Sequence, residues 1–178
     1  MILAEDVLIV GFMILVVSSI VMAVVKMEPL RIFISGISIA YAVSVLAITL
    51  CPIPYDLRDL LSPVTDNFIP FKTILEICAS GSITNICIQI IGNMFLAFPY
   101  GVLIEYSYPG PCYCIKAFIF PAMIEVLQFL VGFIMGVHYR SFDVDDILLN
   151  TAGALAGMIL CRRVRVLLMQ KTLSKSQQ

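Results

Sequence analysis

Ionisable and amide side chains recur at helical spacing in an otherwise apolar part of the chain. Such side chains are costly inside an apolar segment unless they are paired, so they are candidates for function. Carboxylates could serve as general acid and base, and a guanidinium binds a phosphate or carboxylate well. The candidate catalytic residues are Glu125, Arg140, Asp143 and Asp146. The candidate binding residues are Asn93, Gln128, Asp145 and Asn150.

The spacing of these residues places them on common helix faces. Glu125 and Gln128 are three residues apart, and Asp143, Asp146 and Asn150 follow an i, i+3, i+7 pattern. The aspartates at 143, 145 and 146 could bind a divalent cation, and the metal ligands stay open. Alternatively, the carboxylate at 145 or 146 could cap a helix N-terminus, where negative charge is stabilising.

Two further candidates have structural alternatives. Glu125 could be a protonated core carboxyl bonded to Gln128 or Asn93. Arg140 could form a surface ion pair with Asp143. These alternatives compete with a functional site and are not resolved by spacing.

The elements that must hold these residues are membrane helices. The chain has 178 residues, of which 61% are hydrophobic and 13% charged, and its mean hydropathy is +1.03. A soluble domain is ~45–50% apolar and ~25% charged, so this chain could not cover its surface in water. The composition excludes a soluble enzyme, a disordered chain and a nucleic-acid module with a basic face. We predict an all-α integral membrane bundle that forms one domain over residues 1–178.

Five apolar runs are candidates for crossing a hydrocarbon core of ~30 Å. They cover residues 7–25, 32–51, 86–106, 113–137 and 147–161. The last run is short and is expected to extend back toward Asp145. Within it, Gly153 and Gly157 form a surface of small residues that suits close helix packing.

The connection over residues 52–85 is expected to contain a short amphipathic helix at the membrane interface, or else a plain surface loop with one helical turn. Its apolar residues at helical spacing are Phe68, Phe71, Ile74, Leu75 and Cys78. The six cysteines form no disulfide framework and are interpreted as small apolar residues. His138, the only histidine, is expected to be solvated.

Lysine and arginine predict the orientation, because they favour the cytoplasmic side. With the basic tail at 162–178 inside and the N-terminus outside, eight Lys and Arg residues are inside and three are outside. At ~1.5 Å per residue, Asn93, Glu125 and Gln128 then lie about 10, 18 and 14 Å below the outer surface. The polar residues therefore predict a pocket that opens outward and is lined by the last three spans.

Three segments resemble the VanZ-like membrane protein family, in the same order and over about residues 50–160. "NFIPFKTI" is similar to the N-x-x-P-F element of that family, and "IIGNMFLAFPYGVLIE" to its span with Gly-Asn and Pro-x-Gly. The segment that begins at Ile124 resembles its E-x-x-Q … R-x-x-D-x-D-D-x-x-x-N-x-x-G block. One departure is "MGVHY" before Arg140, which includes one or two residues that look inserted. The resemblance adds Asn67 to the candidate binding residues.

The resemblance implies a bacterial cytoplasmic-membrane protein linked to resistance to glycopeptides such as teicoplanin, and it supplies no reaction. The leading hypothesis is a site at the outer leaflet for a membrane lipid, a lipid-linked cell-wall precursor or the antibiotic, with no nucleic-acid partner. The protein could be an enzyme based on carboxylates or a metal, or a binder that shields the antibiotic or its target. A small transporter is less well supported, because the polar cluster stops halfway across the membrane. The oligomeric state stays open.

Overall fold

The computed structural model describes residues 2–53, 65–136 and 140–176. A π-helical segment at Ile86–Ile91 joins α4 to α5. The helices are α1 (Ala4–Val24), α2 (Pro29–Leu50), α3 (Lys72–Ala79), α4 (Ile83–Asn85), α5 (Gly92–Ser107), α6 (Tyr113–Met135) and α7 (Val144–Ser176). Extended pairing in the described ranges consists of two isolated bridges, Ile2 with Ile53 and Asn67 with Asp143. The prediction of an all-α bundle is confirmed.

Five helical stretches are long and apolar enough to span a membrane. They are Ala4–Val24, Pro29–Leu50, Ile83–Ser107, Tyr113–Met135 and Val144–Ser174. Large apolar side chains such as Phe12, Phe33 and Ile134 are exposed on them, as expected for surfaces that face lipid. The chain is therefore a multi-pass membrane protein, and the predicted number of spans is confirmed.

Each of the five spans differs from its predicted bounds at one end or both, and the cause is clear for α1 and α7. Helix α1 begins before its first charged residues, because the carboxylate of Asp6 accepts a hydrogen bond from the backbone N–H of Leu3, 2.9 Å away. Helix α7 runs on through the basic tail. The tail contains no Gly or Pro after Gly157, and Arg, Leu, Met, Gln and Lys are good helix formers.

The described residues form two compact units, which divide the chain within α6. The first unit lies within Met1–Val64 and Gln128–Arg140. Helices α1 and α2 pack closely in it, since a Cβ atom at Gly11 would overlap the side chain of Val43. The end of α2 is buried at Val45, Ala47 and Thr49.

The second unit lies within Thr65–Leu127 and Ser141–Gln178, and its main contact is between α5 and α7. A Cβ atom at Gly101 would overlap the carbonyl of Ala154, and one at Gly153 would overlap the carbonyl of Met94. A Cβ atom at Gly157 would overlap the backbone of α5 in the same way. The predicted surface of small residues is therefore confirmed, because glycine lets the two backbones touch.

The segment before α4 contains the predicted short helix. Helix α3 carries the apolar residues Ile74, Ile77 and Cys78 on one side and the charged residues Lys72 and Glu76 on the other, so it is amphipathic. Residues 54–64 of the same connection and the predicted solvated His138 lie outside the described residues.

Candidate functional site

Asn67 is the residue that joins the loop before α3 to the start of α7. Its backbone N–H donates to the carbonyl of Phe142 at 2.8 Å, and its carbonyl accepts from the N–H of Val144 at 3.0 Å. Its side-chain amide donates to Oδ1 of Asp143 at 2.8 Å. Because both side chains are buried, the pair is shielded from water. The site residue implied by the family resemblance is thus in direct contact with the aspartate cluster.

Asp143 is bonded on both of its carboxylate oxygens. Oδ1 also accepts from the backbone N–H of Asp145, 2.8 Å away, so Asp143 caps the N-terminus of α7. Oδ2 accepts from the hydroxyl of Thr73 at 2.7 Å. The amide of Asn67 donates to Thr73 as well, at 3.0 Å. Asp143 therefore joins three parts of the second unit.

Asp145 is fully buried and caps a different helix. Its carboxylate accepts from the backbone N–H groups of Phe71 at 2.5 Å and Ile74 at 3.2 Å, at the N-terminus of α3. The backbone at Phe71 has a φ of 68°, in the left-handed region. Two N–H groups that α3 cannot satisfy internally thus meet one carboxylate. A capping role was expected for Asp145, but the helix that it caps is α3 and not its own.

Glu125 lies beside the same helix start. The side chain is 4% exposed, and its Oε2 accepts from the backbone N–H of Asp143 at 3.3 Å. Asp66 accepts from the neighbouring N–H of Phe142 at 2.8 Å. Carboxylates from a loop and from α6 therefore accept from the two backbone N–H groups that directly precede α7.

Asp146 has fewer contacts than its neighbours. It is half-buried, and its Oδ1 accepts from the side-chain amide of Asn93 at 2.5 Å. One turn later, the amide of Asn150 donates to the backbone carbonyl of Asp146 at 2.9 Å. Asn150 is buried, and its Oδ1 has no hydrogen-bond partner among the described residues. Asp146, with one neutral donor, and Asn150, with an unsatisfied oxygen, are therefore one turn apart on α7.

Gln128 and Arg140 belong to the first unit and bond to the end of α2. The amide of Gln128 donates to the carbonyl of Thr49, and the guanidinium of Arg140 donates to the carbonyl of Cys51, both at 2.8 Å. Helix ends leave such carbonyls unsatisfied, and positive charge is favourable there. Burial raises the pKa of the Cys51 thiol, the charge of Asp6 raises it further, and that of Arg140 opposes both.

The predicted cation site does not form from the three aspartates. Within the described part of the chain, no three His, Cys, Asp or Glu side chains are arranged to hold a metal ion. The carboxylates of Asp143, Asp145 and Asp146 bond instead to three different sets of donors. The three aspartates are close in sequence, which suggested that their carboxylates could share one cation. Successive residues at the start of a helix point in different directions, so each carboxylate meets different neighbours.

A buried ion pair at the other end of α5 and α7 was not predicted. Glu105 is 1% exposed, and its Oε1 lies 3.6 Å from a guanidinium nitrogen of Arg165. The spacing of Glu105 and Arg165 from the packed glycines could have predicted this pair. Glu105 follows Gly101 by four residues and Arg165 follows Gly157 by eight, so both continue the faces on which the glycines pack. Thr73 was also missed, although it follows Asn67 by only six residues.

Comparison with known proteins identifies a family. A search of curated proteins found no match, and neither did a search of solved structures. The family model described as VanZ/LLP1 matches residues 38–168. This range includes every candidate site residue, all of the spans Ile83–Ser107 and Tyr113–Met135, and parts of the spans Pro29–Leu50 and Val144–Ser174. The chain therefore belongs to the VanZ/LLP1 family.

Proposed function

We propose that this protein acts in resistance to glycopeptide antibiotics by binding a lipid-linked cell-wall precursor or the lipid-bearing antibiotic at the outer face of the bacterial cytoplasmic membrane. The observation that carries the proposal is the state of Asp146. Its carboxylate is half-buried at the start of a spanning helix and has no cation partner among the described residues. The family supports the phenotype, and the side-chain contacts support the site.

The contacts support a structural role for Asp143 and Asp145 and a ligand-binding role for Asp146. Asp143 and Asp145 are occupied by hydrogen bonds that hold α3, the preceding loop and α7 together. Asp146 accepts one hydrogen bond from a neutral amide, and Asn150 has a buried oxygen without a donor. Buried polar atoms are nearly always satisfied in folded proteins. A ligand with hydroxyl or amide donors could bond to the half-buried carboxylate of Asp146, and sugars and peptides have both.

A second candidate function is catalysis by a carboxylate. A half-buried acid close to a membrane surface can transfer a proton, and Glu125 supplies another carboxylate at the start of α7. An enzyme changes the chemical structure of its lipid-linked substrate, whereas a binder leaves it unchanged. Mass spectrometry of lipid extracts from cells with and without the protein distinguishes them. A new or missing precursor species supports an enzyme, and an unchanged profile with resistance intact supports a binder.

The test of the binding site is Asp146→Ala compared with Asp145→Ala. We expect Asp146→Ala to reach wild-type abundance in the membrane and to lose teicoplanin resistance, because a ligand contact is removed. Asp145→Ala should lower abundance, because two backbone amides of α3 lose their acceptor. Glu76→Ala, an exposed acid on α3, is the control and should change neither quantity. Normal resistance in Asp146→Ala cells at matched abundance would exclude Asp146 from the site.

A further inference from the structure

A cavity of about 420 Å³ lies at the end of the second unit that is remote from the aspartates. Arg162 follows Val144 by 18 residues, or about 27 Å along α7, which is close to the thickness of a hydrocarbon core. The cavity is therefore at the level of the lipid headgroups on the other side of the membrane. Its wall consists of Glu105, Pro109, Gly110, Pro111, Tyr113, Arg162, Arg165 and Val166.

The two arginines of the cavity have different roles. Arg165 donates to the backbone carbonyl of Glu105 at 2.7 Å and also approaches its carboxylate, so the two charges balance. Arg162 is exposed, and its guanidinium carbon lies 5.0 Å above the ring of Tyr113. Stacking uses the flat face of the guanidinium and leaves the N–H groups at its edge to bind an anion. Arg162 is therefore held in place at the cavity wall, and no acid of the described residues forms an ion pair with it.

Glu105 is the only acid among the described residues that line this cavity. Oε2 of Glu105 has no hydrogen-bond partner in the described ranges, although the side chain is 1% exposed. An unsatisfied carboxylate oxygen is expensive to bury. The negative charge of this carboxylate would repel an anion, and the ion pair with Arg165 offsets that charge. The anion ligand of the cavity is therefore Arg162, which the ring of Tyr113 holds at the wall. Basic cavities between membrane helices typically bind phosphate-bearing headgroups.

We propose that this cavity binds the phosphate group of an anionic phospholipid, with Arg162 as the anion ligand and Arg165 as the residue that positions Glu105. The same phosphate chemistry could come from a soluble phosphate, and the bilayer is favoured because the cavity lies at headgroup depth. The site is separate from Asp146 and does not depend on the function proposed above.

The experiment uses the full chain in neutral detergent with fluorescent phosphatidylglycerol as the probe and phosphatidylcholine as the uncharged comparison. We expect phosphatidylglycerol to bind more tightly. Arg162→Gln should weaken that binding about tenfold, as for the loss of one charge-assisted hydrogen bond. Arg163→Gln is the matched control. It removes the same charge from the next residue, which does not line the cavity, and should change binding less than about twofold.

Three results would contradict the proposal. Equal losses in Arg162→Gln and Arg163→Gln would indicate general attraction to the basic tail. Wild-type binding by Arg162→Gln would show that the lipid does not bind in this cavity. Displacement of the lipid by inorganic phosphate at equal concentration would overturn the lipid assignment in favour of a soluble phosphate. Thermal unfolding of each variant without lipid checks that the cavity is intact.

Discussion

Asn67 and Asp143 are 76 residues apart in the chain and are bonded to each other at 2.8 Å through their side chains. The backbone of Asn67 is also paired with the residues on either side of Asp143. A loop that follows the first two spans is thereby fixed to the first turn of the last span. The candidate site is built on this connection, because Asp145 and Asp146 follow directly in α7.

We expect Asn67→Ala to destabilise the protein by about 1–3 kcal/mol, because the buried carboxylate of Asp143 loses a donor. The backbone pairing of residue 67 would remain, so the loss should be partial. Thermal unfolding in detergent measures the effect, and Asn85→Ala, at an exposed asparagine, is the control. Equal unfolding temperatures for Asn67→Ala and wild type would show that the side-chain bond adds no stability.

Asp145→Asn should loosen α3 while leaving the rest of α7 in place. The asparagine keeps one acceptor oxygen, but its NH₂ group would meet a backbone N–H at Phe71 or Ile74. We expect a loss of about 1–3 kcal/mol and faster hydrogen exchange at those two amides. Glu76→Gln removes an exposed charge from α3 as a control. Unchanged exchange at both amides would argue against the cap.

The membrane spans could be predicted from the sequence because their signal is local. Apolar runs of ~20 residues and the spacing of Gly153 and Gly157 depend on neighbours along one helix. The partners of the aspartates could not be predicted in this way. Whether Asp145 caps α7 or α3 depends on where a distant loop returns, and Arg140 binds the end of α2 through a backbone carbonyl that has no sequence signature.

Gly101→Ala tests the contact between α5 and α7. A methyl group there would overlap the carbonyl of Ala154, so the two helices must separate, at a cost of about 1–3 kcal/mol. Gly36→Ala is the matched control, since a Cβ atom at this position in α2 meets no atom within 4 Å. It should be neutral or slightly stabilising, because alanine favours a helix. Similar unfolding temperatures for the two variants would show that the close contact at Gly101 does not contribute to stability.

The proposed orientation is tested by labelling single cysteines. Thr65→Cys is in the connection that we place outside, and native Cys112 is in the turn that we place inside; both positions are exposed. In a background without the other native cysteines, a membrane-impermeant maleimide should label the first in intact cells and the second only after permeabilisation. The reverse pattern would place the Asp146 site on the cytoplasmic side.

Arg140→Lys separates two roles of the guanidinium in the first unit. The arginine uses one N–H group to bind the carbonyl of Cys51, and it has five in total. If Arg140 only caps α2, a lysine can supply the same positive charge near the helix end, and both stability and resistance should be close to wild type. If its remaining donors also bind a phosphate or carboxylate group, the lysine lacks the planar fork that such binding requires. We predict that Arg140→Lys keeps its unfolding temperature and loses most teicoplanin resistance at matched protein levels. Wild-type resistance in this variant would leave Arg140 with the structural role alone.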